Sequence, residues 1–226
     1  MTIDLSISTI KNAIVFTELL AAVAATITYS KYRKTPAKHF LWLLWYIVIT
    51  ETVAHFALKY NFLIHIDDEG VKYNLWLTNL LYLIFFPTCF YIYHQMVESV
   101  RYKWCIKLFA ILYLLISLVN WIFIQDFIMS WSELPFITGS MMLVVTIIFY
   151  FIELLRSEKI IVFHRTLLFW ISVGLLLFHT GTLPFSAQIN GYALIPGIHK
   201  LFLIIYILAI TMYVLFTIGF IWSKKE

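Results

Sequence analysis

Apolar residues in this chain come in long blocks separated by short polar breaks. Seven blocks reach the length of about 20 residues that a membrane-crossing helix needs. They run over roughly 10 to 30, 39 to 62, 74 to 99, 106 to 124, 134 to 155, 164 to 184 and 198 to 222. The breaks are Lys31 to Lys38, His65 to Tyr73, Val100 to Cys105, Gln125 to Glu133, Arg156 to Arg165 and Phe185 to Ile198. The pattern predicts an all-α membrane protein, a single bundle of seven transmembrane helices spanning residues 1–226.

Composition agrees with the blocks. Of 226 residues, 62% are hydrophobic and 12% charged, whereas soluble domains are about half apolar and about a quarter charged. Seven spans use roughly 150 residues. The remainder is too small for a kinase, nucleotidase, DNA-binding or periplasmic ligand domain.

Charge gives the blocks a direction. Taking the breaks alternately, one side collects Lys31, Arg33, Lys34, Lys38, Arg101, Lys103, Lys107, Arg156, Lys159, Arg165, Lys224 and Lys225. The other has only Lys11, Lys59, Lys72 and Lys200. Because cytoplasmic loops retain Lys and Arg, this split predicts an outside N-terminus and a cytoplasmic C-terminus. The net charge of +4 then needs only anionic headgroups as its partner, and no nucleic acid.

Trp42, Trp45, Trp104, Trp121, Trp131 and Trp222 are expected as interfacial anchors. The first block reads as a retained span, since its basic cluster follows the apolar core and Glu18 interrupts it. Cys89 and Cys105 form neither a disulfide framework nor a metal motif. No internal repeat stands out, and Pro87-Thr88 is expected to kink the third helix about midway.

Ionisable residues at membrane depth are costly and usually face the bundle interior. In the second block, Glu51, His55 and Lys59 recur every four residues and form one stripe from the bilayer centre outward. Glu18, His179, Thr180, His199 and Lys200 fall in outer halves of other blocks. If these helices converge, Glu18, Glu51, His55, His179, His199 and Lys200 line an outward-facing ligand or proton pocket. The bland alternative is that Glu51 and His55 satisfy each other while Lys59 snorkels. Zinc-type spacing is missing, so neither a metal nor a cofactor is expected.

At the cytoplasmic side, His94, Glu98 and Glu153 lie near Arg101 and Arg156 at spacings that suit local ion pairs. No nucleophile elbow or phosphate-binding glycine loop occurs. Ser140, in Thr138-Gly139-Ser140, has no base at compatible depth on its own helix. The only lysine of the last block, Lys200, is at its outer end, which disfavours a retinal-binding opsin.

Three stretches carry a likeness: Lys31-Tyr32-Arg33-Lys34-Thr35-Pro36 leading to Glu51; Leu167 through Phe178, followed by Gly181 and Pro184; and Ile218-Gly219-Phe220-Ile221-Trp222-Ser223-Lys224-Lys225. Together they resemble uncharacterised small seven-helix membrane proteins of Bacteroidetes, Flavobacteria especially, often encoded beside two-component signalling genes. The resemblance implies a bacterial inner membrane and a signalling neighbourhood, and supplies no substrate or catalytic residue.

The reading that follows is a non-enzymatic sensory or accessory subunit, acting on a small or lipidic ligand through a separate signalling protein partner. Two alternatives stay open. One is a membrane-embedded enzyme on lipid or isoprenoid substrates, with His55 or His179 as base and Glu51 as acid or orienting group. The other is a proton-coupled carrier using Glu51.

Overall fold

The computed structural model describes residues 2–66, 70–157, 163–186 and 199–224. Their order is α1 (Thr2–Ile27), a 3-10 turn (Tyr29–Lys31), α2 (Lys38–Tyr60), β1 (His65–Ile66), β2 (Lys72–Tyr73), α3 (Leu75–Met96), α4 (Val100–Phe123), α5 (Glu133–Arg156), α6 (Leu167–Ser186) and α7 (His199–Trp222). The helices from α2 to α6 and Leu203–Trp222 of α7 are long and apolar enough to cross a membrane. In α1 the apolar helical stretch is the shorter Asn12–Ile27. This is a multi-pass helical membrane protein.

Each helix packs on the next in chain order, and α7 closes the ring against α1; α3 also touches α5. Without a hydrophobic driving force between helices in lipid, such a ring depends on close packing and interhelical hydrogen bonds. Glycines allow the closest approaches. A Cβ at Gly219 of α7 would lie 2.6 Å from Cβ of Trp170 on α6, and one at Gly139 of α5 would lie 2.8 Å from the Phe86 ring of α3.

Side chains fix one end of the bundle. Lys31 donates to the carbonyls of Ile221 (2.8 Å) and Ser223 (3.1 Å), satisfying the end of α7. The Glu153 carboxylate of α5 accepts from the Glu98 and Ser99 amides, both at 2.8 Å, at the start of α4. Glu153 therefore binds across the bundle as a helix cap. The Lys224 amide donates to the Arg165 carbonyl at 3.0 Å. The described basic residues of the three turns here, of the adjoining helix ends and of the segment after α7 gather at this end, called here the basic end.

The opposite end carries a small hairpin, β1 paired antiparallel with β2 in the register His65 to Tyr73 and Ile66 to Lys72. Gly70, at φ +79°, supplies its left-handed position. Asn79 of α3 ties down the neighbouring 124–132 turn. It donates to the Phe127 (2.8 Å) and Ser130 (2.9 Å) carbonyls and accepts from the Ser132 amide (3.1 Å). Asp126 caps the same turn, accepting from the Ile128 and Met129 amides. These bonds hold its carboxyl below the usual carboxylate range.

Several helix boundaries differ from the apolar blocks because polar residues can continue a helix beyond the lipid-compatible part. The fourth helix starts at Val100, six residues before the block. The sixth runs to Ser186, through Pro184. α3 is continuous through Pro87. Trp42, Trp104 and Trp222 are exposed on the outer surface, as anchors should be. Trp45 and Trp121 instead donate to Thr26 and Ser132, so they also tie elements together.

Candidate functional site

One face of α2 changes character along its length. On a helix with about 100° per residue, Phe40, Leu44, Ile47, Glu51 and Leu58 fall opposite Trp42, Ile49 and Phe56. The second set is exposed outward. Phe40, Leu44 and Ile47, toward the basic end, are sealed by Phe216 and Phe220 of α7 and their neighbours. Farther along the same inward face, Glu51 and Leu58 keep accessible surface, and His55 beside them does too. A space therefore opens inside the ring toward the hairpin end. On α7 the same boundary appears: Met212, Tyr213, Phe216 and Phe220 are buried, while none of residues 203–211 is.

Glu51 sits at the floor of this space and meets Glu18 of α1. Their carboxyls lie within electrostatic and side-chain hydrogen-bonding reach. Glu18 is 2% exposed, and its Oε1 is buried without a protein partner. Tyr82 of α3 and Tyr213 of α7 complete the surroundings: Glu51 acts electrostatically on both, and Glu18 on Tyr213. Four helices thus contribute to one polar cluster.

The partner of Glu51 is thus Glu18 on another helix. His55 stacks edge-on with Phe56 at 5.7 Å between ring centroids, and the Lys59 ammonium lies over the Tyr60 ring at 5.4 Å. His179 stands apart from the acid pair. It is buried among Phe85, Phe86, Phe136 and Phe178, and Ser140 Oγ lies 2.8 Å from its Nδ1. Its Nε2 is buried without a partner. Ser140 thus has an imidazole partner supplied by α6, which periodicity along the serine's own helix cannot reveal. The enclosing phenyl rings give the pair no substrate path. Thr180 returns its hydroxyl to the Leu176 carbonyl. The His199 and Lys200 side chains lie outside the described residues.

Tyr82 and Tyr213 escaped the sequence reading because tyrosine counts as apolar in hydropathy blocks. Only their hydroxyl function distinguishes them from neighbouring Phe. Among the described residues no group of three His, Cys, Asp or Glu side chains is placed to hold a metal. A cleft of about 380 Å³ at the basic end is lined by Met96, Glu98, Tyr150, Glu153 and Arg156. Its Glu153 is already committed to capping α4.

No protein-family model, curated protein or solved structure matches the chain.

Proposed function

We propose that this is a seven-span protein of a bacterial inner membrane, with the N-terminus outside and the basic end in the cytoplasm. It acts as a non-enzymatic sensory or accessory subunit. The observation that carries the reading is the Glu18–Glu51 pair at the floor of an internal space that opens away from the basic end. An ionisable pair at membrane depth is expensive to keep, and occupancy of the space offers α1, α2 and α7 something to respond to. A ligand that binds one arrangement of these helices better than another shifts the population between them. The short turns at the basic end leave onward signalling to a separate protein, in keeping with the resemblance to proteins encoded beside two-component genes.

The test is photo-crosslinking in native membranes from positions 34 and 103 at the basic end. A specific signalling partner should be captured, with a yield that changes in Glu51→Gln. Capture of no partner, or capture indifferent to Glu51, removes the sensory reading. A proton-coupled carrier is the second reading, favoured by two carboxyls that meet across helices at membrane depth. Proteoliposome uptake insensitive to pH would exclude it.

A further inference from the structure

Resting on the ligand-pocket reading, we propose that the Glu18–Glu51 site binds a protonated organic amine, the ammonium head between the carboxyls and an apolar body extending along α2 past His55 to Leu58. Three observations carry this assignment. First, the site has acceptor capacity that the protein leaves unused: Glu18 Oε1 is buried and unpartnered, and Glu51 retains accessible surface inside the ring. An ammonium carries three N–H donors and no acceptor, matching the carboxylate oxygens of the floor.

Second, the described charged side chains of the helices around the pair are placed elsewhere. On α2, Lys59 is over Tyr60, and His55 lies one turn beyond Glu51 against Phe56. On α6, His179 bonds Ser140 behind phenyl rings. On α3 and α7 the facing titratable groups are the phenols Tyr82 and Tyr213. Along α1, Lys11 is seven residues from Glu18, or about 10 Å of helix rise.

Third, Glu51 and Leu58 are both accessible and lie seven residues apart on one face of α2, so a carboxylate and an apolar side chain line the same stretch of roughly 10 Å. Tyrosine rings at the floor add cation–π attraction for an ammonium. A bare metal ion would use the floor and leave the apolar length empty.

The experiment titrates the purified full chain in mild detergent with phenethylamine and, as its uncharged counterpart, phenethyl alcohol, reading thermal unfolding and tyrosine fluorescence. The amine should stabilise the protein and the alcohol should not. Glu18→Gln and Glu51→Gln should each weaken amine binding about thirtyfold or more, as removal of one side of a buried charge contact does. Glu98→Gln should bind normally. Unliganded melting of each variant separates a folding defect from a binding defect, and Tyr213→Phe, which keeps the ring, offers a milder second variant with a smaller loss. Equal binding of amine and alcohol overturns the proposal. So does a response to protons or sodium ions with none to the amine. Amine binding without a captured partner would sink the sensory reading and leave the ligand class standing; a Glu51-dependent partner without amine binding would do the reverse.

Discussion

The two halves of α2's inward face are built from the same helix and face the same ring, yet one is sealed and the other open. Toward the basic end, Phe40, Leu44 and Ile47 meet Phe216 and Phe220, and the neighbouring layers are joined by Tyr93 and Ser172 at 2.7 Å. Toward the hairpin end, Glu51 and Leu58 look into space while none of residues 203–211 of α7 is buried. The α3, α4 and α5 side stays closed at that end, held by Asn79 and by Tyr113, which donates to the Tyr82 carbonyl at 2.9 Å. Packing and accessibility are thus assigned to different parts of the ring. The sealed layer holds the helices together, and the open sector leaves the acid pair's surroundings accessible.

Substitutions should separate the halves. Phe40→Ala should cost about 3 kcal/mol or more, mainly through the cavity left among Phe216 and Phe220, and thermal unfolding of the detergent-solubilised protein checks it. Gly219→Val should cost about 1 to 3 kcal/mol in the same assay, because the added carbon must push against Trp170 Cβ on a rigid neighbouring helix. Lys31→Met leaves the last carbonyls of α7 without their ammonium donor. A loss of about 1 kcal/mol is expected, read as faster amide exchange in Ile221 to Ser223. By contrast, Leu58→Ala should change stability by less than about 0.5 kcal/mol. A cost like that of Phe40→Ala would close the space and erase the comparison.

The smallest effect concerns the rim. Asp126 is held below its usual range by the Ile128 and Met129 amides. A lowered folded pKa contributes stability above the unfolded value of about 4 and loses it as pH falls through the folded value. Exchange protection of those two amides should therefore decline below about pH 4, while protection in α7 near Phe216 stays level.

Much of the scaffold was legible in the sequence because lipid imposes a length and polarity rule on every span. Blocks such as 39–62 and 198–222 differ from α2 and α7 by two residues or fewer at each end. Glu18 and Glu51 stood out for the same reason, as violations of that rule. Their pairing was not legible. The fourfold spacing of Glu51 and His55 pointed along one helix, and the contact is made across two. Ser140 with His179, and Asn79 with the 124–132 turn, likewise join residues far apart in sequence, which a periodicity argument cannot bring together. Tyr82 and Tyr213 were hidden because hydropathy records their rings and not their hydroxyls.

The central claim is that a single helix face passes from sealed to open at Glu51. Single cysteines at positions 44, 47, 51 and 58, placed in a chain with Cys89 and Cys105 replaced by alanine, test it through their rates of reaction with a small water-soluble maleimide. Positions 51 and 58 should react readily and positions 44 and 47 should resist. Equal protection at all four, or ready labelling at 44 and 47, would contradict the account.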